Sequence, residues 1–195
     1  LQRAAQLGGT TSGLPPRSPP RGAIMSAPAW IWRAAAQSSG SVLHSEHFER
    51  GTHASTWRRI QEWIGGGGQV DARDPDSPRR VTLLMTAAAH GQRRLMQELL
   101  LRGADPNVED SQGRTALFYA AEHGMLPSVL ALKGRKVRET VRFDHRDCEG
   151  YTAAIVAAAN GKRVVAQALL NAGASVDFPE GSLSAGAREG LKQLR

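Results

Sequence analysis

One ten-residue pattern recurs three times and fixes most of what this chain can fold into. Its copies run from Thr82 to Gly91 (Thr-Leu-Leu-Met-Thr-Ala-Ala-Ala-His-Gly), Thr115 to Gly124 (Thr-Ala-Leu-Phe-Tyr-Ala-Ala-Glu-His-Gly) and Thr152 to Gly161 (Thr-Ala-Ala-Ile-Val-Ala-Ala-Ala-Asn-Gly). The threonines lie 33 and then 37 residues apart. A fixed period in this range marks an architecture of stacked units, not one closed core. Each copy reads as a short helix. Thr opens it, where a hydroxyl caps free backbone N–H groups. A central alanine pair admits a close neighbour, and Gly ends it in a left-handed turn.

A second run follows in the first and third copies: Leu95-Met96-Gln97-Glu98-Leu99-Leu100-Leu101-Arg102-Gly103-Ala104-Asp105 and Val165-Ala166-Gln167-Ala168-Leu169-Leu170-Asn171-Ala172-Gly173-Ala174-Ser175. Apolar residues spaced by one, three and four predict a helix with one face to bury, and Asp105-Pro106-Asn107 is turn chemistry. A lone helix pair cannot cover both of its faces, so the units must stack. Between units stand Asp110-Ser111-Gln112-Gly113-Arg114-Thr115 and Asp147-Cys148-Glu149-Gly150-Tyr151-Thr152.

With these landmarks in register, the chain resembles the ankyrin-repeat family over about residues 77–178. The resemblance implies an all-α solenoid of stacked helix-turn-helix units with hairpin loops. It departs from the family at the Thr-Pro-Leu-His start. Pro is replaced by Leu83, Ala116 and Ala153, and His by Met85, Phe118 and Ile155, so the usual Thr–His hydrogen bond is absent in every unit. The second unit also lacks the Leu-Leu and Gly-Ala-Asp of its neighbours. Its Met125-Leu126-Pro127-Ser128-Val129-Leu130-Ala131-Leu132 predicts an irregular second helix and a longer loop.

The units fall at about 77–109, 110–146 and 147–179. A weaker N-terminal unit spans about 28–76. Its helices are expected around Trp30–Ala36 and Trp57–Ile64, with an insertion at 38–55 between them. All four Trp lie between 30 and 63, as large side chains sealing one end of a stack. A half-unit at 180–195 is expected at the other end, with Ala187, Leu191 and Leu194 inward. Residues 1–27, rich in Pro and Gly, read as a disordered basic tail. No acidic residue precedes Glu46, while Arg3, Arg17, Arg21 and Arg33 do, so the same segment also resembles a transit peptide. The chain opens on Leu1, which leaves open that it is part of a longer protein.

Several clusters bear on chemistry. His44, Glu46, His47 and His53 lie in or beside the insertion, but a structural zinc needs four ligands at set spacing and no Cys is near. Cys148 with His145, Asp144 and Asp147 has the composition of a nucleophile pair, yet a turn offers neither an oxyanion hole nor excluded water. Gly65–Gly68 lacks the Lys-Ser/Thr of a phosphate loop, and Asp144-His145-Arg146-Asp147 lacks every companion motif of a kinase. No residue is therefore expected to serve catalysis, a cofactor or a metal. One cysteine in 195 residues excludes an internal disulfide and fits a reducing, intracellular compartment, cytoplasmic or nuclear. A formal charge of +7 attracts anionic partners without selecting among them. The run Lys133–Arg142 reads as solvated loop charge, with nucleic acid as the less favoured alternative.

The resemblance implies a monomeric module that binds another protein through hairpin tips and the concave face of the first helices. The matching positions are Arg79, Val81, His90, Gln112, Arg114, Glu122, His123, Glu149, Tyr151 and Asn160. A regulatory fragment of a larger enzyme, such as a kinase or ubiquitin ligase, is the rival reading.

Overall fold

The computed structural model describes residues 31–32, 52–134, 140–176 and 185–192. After the helical pair Ile31 and Trp32, eight helices follow in order among the described residues: α1 (Thr52–Gly65), α2 (Leu83–Ala89), α3 (Arg93–Leu101), α4 (Ala116–His123), α5 (Leu126–Leu132), α6 (Ala153–Ala159), α7 (Arg163–Leu170) and α8 (Ala185–Lys192). Their arrangement is the all-α stack the repeat predicts. First helices α2, α4 and α6 pack side by side, α8 closes on α6, and second helices α3, α5 and α7 form a parallel row behind them. No strand occurs among the described residues. The hairpins contain isolated antiparallel bridges only, Arg73 with Thr82 and Arg146 with Thr152.

The layers meet as tightly as they do because the first helices are nearly all small. Ala87, Ala88, Ala120, Ala121, Ala157 and Ala158 are buried, and the larger Leu84, Leu117, Phe118 and Ile155 fill the spaces between units. On the second helices the predicted stripe goes inward: Leu95, Met96 and Leu99 on α3, and Val165, Ala166 and Leu169 on α7. Leu99 and Leu169, at matching positions, are both fully buried.

Helix ends follow one rule. The residue after each left-handed glycine donates back to the carbonyl five residues earlier: Gln92 to Ala87, Met125 to Ala120, Lys162 to Ala157, Ala104 to Leu99 and Ala174 to Leu169. This 6→1 bond satisfies a carbonyl the helix leaves over. Gly124, at φ +72°, shows why the residue type is fixed, since an L side chain there is strained. Gly68 is required for another reason. The Trp63 indole lies on it, and a Cβ would stand 2.4 Å from the ring.

Helix starts differ from the sequence expectation. Only Thr82 caps with its side chain, its Oγ1 accepting from Met85 N–H at 3.3 Å. Met85 returns the contact, its sulfur accepting from Thr82 N–H, in the place the family gives to His. Thr115 makes no side-chain cap bond. Neither does Thr152, because its hydroxyl donates instead to the Ser175 carbonyl at 2.8 Å.

Unit two also corrects the reading. Its second helix, α5, is regular, although at seven residues it is shorter than α3 or α7. Pro127 sits in its first turn, where no N–H is needed and a fixed φ favours the helix. Ser128 is fully buried and donates to the Ala88 carbonyl at 2.9 Å, at the end of α2. The longer loop expected after it falls mostly on 135–139, outside the described residues.

At the N-terminal end, α1 begins at Thr52. The insertion expected at 38–55 is therefore too long by its last four residues. Between Gly51 and Gly65 the chain has neither Gly nor Pro, so nothing delays the helix until Trp57. Ile31 and Trp32 are helical and buried, and Ile60, Trp63 and Ile64 join the same core. The tail at 1–27 and the rest of the insertion lie outside the described residues. So do the side chains of Ala187 and Leu191, and all of Leu194. Helix α8 itself runs against α6, and a Cβ on Gly186 would stand 3.6 Å from the Ala159 carbonyl.

Candidate functional site

Hairpins project from the starts of the first helices and line up along one edge. Each is closed by its own aspartate. Asp110 Oδ1 accepts from the N–H groups of Gln112 and Arg114 at 2.8 and 2.9 Å, and Asp147 Oδ1 accepts from Glu149 and Tyr151 at 3.1 and 2.9 Å. Backbone bonds then tie tip to tip, Ser111 N–H to Arg79 O and Cys148 N–H to Gln112 O, both 3.0 Å. Side chains repeat the tie lower down. Asn107 takes Thr140 O and Arg142 N–H, Asp71 accepts from Asp105 N–H, and Asp144 accepts from Ser175 N–H. The edge is thus one continuous ledge, positioned by the stack.

The ten candidate contact residues do not all lie on this ledge: His90, His123 and Asn160 stand at the far ends of α2, α4 and α6, where the chain turns into the second helices. Arg79, Gln112, His123, Glu149 and Asn160 are exposed, while Val81, His90, Arg114, Glu122 and Tyr151 are half-buried. Arg114 is held most firmly. Its guanidinium meets Glu122 at 3.2 Å and the buried Asp147 carboxylate at 3.5 Å, with 17% of its side chain exposed. It therefore joins the second hairpin to its own helix and to the third hairpin. The sequence, which places it beside the helix, does not foresee that tie. Arg79 reaches the Tyr119 hydroxyl, which also donates to Asp110 Oδ2 at 2.7 Å. Burial, and then the Asp110 carboxylate, raise that phenol well above its ordinary range, with Arg79 offsetting part of the effect. His123 Nδ1 lies 3.1 Å from Tyr119 O, and Asn160 Nδ2 donates to Val156 O at 2.9 Å. His90 is shifted below the usual histidine value by burial and then by His123. No sequence signal marks Tyr119 or Asp110 as partners. Their pairing appears only once helix and hairpin are folded together.

The other clusters resolve physically. His145 stands edge-on to Phe118, with centroids 6.0 Å apart and planes at 85°. Its Nε2 lies 2.8 Å from Gly113 O. It packs two units together, and no hydrogen bond joins it to exposed Cys148 among the described residues. His44, Glu46 and His47 lie outside the described residues, and His53 falls in the first turn of α1. No three His, Cys, Asp or Glu side chains converge as metal ligands among the described residues. None of the described helices is long and apolar enough to cross a membrane. The ledge presents donors, acceptors and one half-buried phenol, Tyr151, in fixed register.

Known proteins share this pattern. The family described as ankyrin repeats, in three copies, matches residues 68–180. The chain is similar to mouse NF-kappa-B inhibitor delta, 42% identical over 84 residues, covering 43% of this chain and 24% of that protein. It is 36% identical over 124 residues to protein lin-12 of Caenorhabditis elegans, covering 60% of this chain and 8% of that protein. A rice potassium channel, AKT2, is 49% identical over 49 residues, covering 25% of this chain and 6% of the channel. The chain thus spans only a small part of each relative's length. With three repeats matched across more than half of its residues, the chain belongs to the ankyrin-repeat family.

Proposed function

We infer that this chain is a monomeric protein-binding module whose partner engages the hairpin tips and the adjoining face of the first helices. The observation that carries this reading is the ledge itself. Exposed Arg79, Gln112 and Glu149 stand at the tips, which inter-unit hydrogen bonds hold in register, with His123 and Asn160 at the far ends of the helices behind them. A pre-ordered surface loses little entropy on binding. Tyr151 and Arg114 are the residue types that often anchor interfaces, but Arg114 acts here mainly by fixing the ledge. The units run as 77–109, 110–146 and 147–179, between an N-terminal unit and a C-terminal half-unit. On this reading the chain acts by binding and not by turnover. A single exposed thiol fits a reducing intracellular compartment.

The relatives include an inhibitor and a channel by name, proteins in which repeats of this kind form one part of a longer chain. That favours regulation by binding over chemistry. The test is capture from native lysate with the full chain and its Glu149→Arg and Tyr151→Ala variants. A partner held by the parent and lost by both variants, while both melt as the parent does, supports the reading. A partner retained by both variants overturns the assignment to the ledge.

A further inference from the structure

The opposite edge, where first helices turn into second helices, has a different character. There α3, α5 and α7 begin side by side. The residues after the turn glycine are Gln92-Arg93-Arg94 in unit one, Met125-Leu126-Pro127 in unit two and Lys162-Arg163-Val164 in unit three. Leu126 therefore occupies the register at which both neighbours carry Arg. A groove of about 410 Å³ opens between α5 and α7, lined by Leu126, Arg163, Val164, Gln167, Ala168 and Asn171. Lys133 spans the two helices, its Nζ reaching Ala168 O at 3.4 Å. Val164 is 66% exposed and Leu130, on the outer face of α5, 44%. Aliphatic side chains this open are common singly, but Val164 lines the groove together with Leu126 and Ala168, and a joined apolar lining marks a contact surface.

The rim is cationic and unanswered. Arg93, Arg94, Lys162 and Arg163 are exposed, and none has an ion-pair partner among the described residues. Helices α5 and α7 hold no Asp or Glu, and the one carboxylate of α3, Glu98, is bound to Arg102 at 3.0 Å. Adjacent packed helices lie about 8–10 Å apart, so the cations of α3 and α7 flank the α5 position from both sides. Arginines in the first turn of a helix also oppose its dipole, a local cost that an anionic partner removes. The groove has no aromatic lining on which a base would stack, and an apolar floor suits an aliphatic side chain better than a sugar-phosphate chain.

We propose that the groove between α5 and α7 docks an acidic protein segment. An aliphatic side chain of that segment packs on Leu126, Val164 and Ala168, and its carboxylates meet Arg163 and the neighbouring cations. This surface lies away from the hairpin tips, beside the turn-edge ends of the first helices that carry His123 and Asn160.

The test probes the full chain on a membrane of acidic decapeptides that place Leu or Ile at every position. A matched set carries Gln for Glu and Asn for Asp, and a labelled oligo-dT serves as the nucleic-acid probe. Retention on acidic aliphatic peptides is expected, with a loss of about tenfold or more in the Gln/Asn set, the scale of one charge-assisted contact. Arg163→Glu and Val164→Asp, at exposed positions that leave the melt unchanged, are expected to lose the same peptides. Leu126→Arg, which restores the residue type of the neighbouring units, is expected to lose them as well. Glu149→Arg and Tyr151→Ala are expected to keep them, which separates this surface from the ledge. The proposal is overturned if no acidic peptide is retained, if Arg163→Glu and Val164→Asp retain them as the parent does, if the Gln/Asn set binds equally, or if oligo-dT alone binds.

Discussion

The two edges of the stack use charge in opposite ways. Along the hairpins, Asp71, Asp105, Asp110, Asp144 and Asp147 each accept at least one backbone N–H. Arg114 is spent on two carboxylates. Along the helix turns, Arg93, Arg94, Lys162 and Arg163 stand in solvent, with no such bond among the described residues. The hairpin aspartates shape a loop that has no ladder of its own, so their charge is structural first. The turn edge needs no such help, because left-handed glycines and 6→1 bonds already close it. A charged residue named by repeat register alone can therefore be a tie on one edge and a free contact on the other.

The core between the edges sets the scale for testing this. Leu99 is fully buried where α3 meets the neighbouring units, and Leu99→Ala is expected to cost about 2–5 kcal/mol. A short stack has few interfaces over which to spread that loss, so denaturant melts should show most of the structure unfolding together. A variant that melts like the parent would remove the register on which both edges are defined.

The comparison itself is tested by two arginines. Arg114→Ala strips the buried Asp147 carboxylate of its cation and is expected to cost about 1–3 kcal/mol, as for a charge left with fewer partners. Arg163→Ala removes an exposed cation with no ion-pair partner among the described residues and is expected to stay within about 0.5 kcal/mol. The sequence alone, placing Arg114 on a hairpin beside the helix, predicts for it the small value expected of Arg163. Urea melts of the two variants decide between register and contact. Equal small losses would mean that the hairpin ion pairs contribute nothing, and the contrast between the edges would fall.

These residues also show what the sequence makes legible. Thr82, Thr115 and Thr152 with their glycines give the units, and Leu95, Met96 and Leu99 give the buried face, because period and residue type act locally. The ankyrin-repeat membership follows from the same landmarks. What the sequence hides depends on contacts between units. Thr152 forgoes its cap for Ser175 of the following loop, and Arg114 reaches Asp147 across 33 residues of chain. The second helix of unit two, read as irregular, is regular, and its Pro127 falls in the first turn. The candidate contact list can be drawn from register, but register does not reveal which members are already engaged.

Ser128 sharpens the comparison within unit two. Its side chain bonds across from α5 to the end of α2, and Ser128→Ala is expected to cost about 0.5–1.5 kcal/mol, the usual net value of one hydrogen bond. Thermal melts would show it. If Ser128→Ala is stabilising, the short helix is held by packing alone, and the groove beside it needs no polar anchor to keep its shape.

The smallest effect concerns pH on the turn edge. His90 follows α2, and burial, with the nearby His123 second, holds its pKa below the ordinary value of 6.5. The folded state thus favours neutral His90, and near that value the unfolded chain binds more protons. Stability attributable to His90 is complete above about pH 6.5 and declines as pH falls from there through its lower folded pKa. Below that point no more is lost, because both states are protonated. His90→Gln should remove this component of the acid-side slope. His123→Gln should remove only the smaller, charge-repulsion part, because burial remains. Melts compared at about pH 7.5 and about pH 6 would therefore rank the parent as most pH-sensitive, His123→Gln next and His90→Gln least. If His123→Gln flattened the slope as fully as His90→Gln, repulsion between the imidazoles would outweigh burial, and the turn edge would be more crowded with charge than its exposed arginines alone suggest.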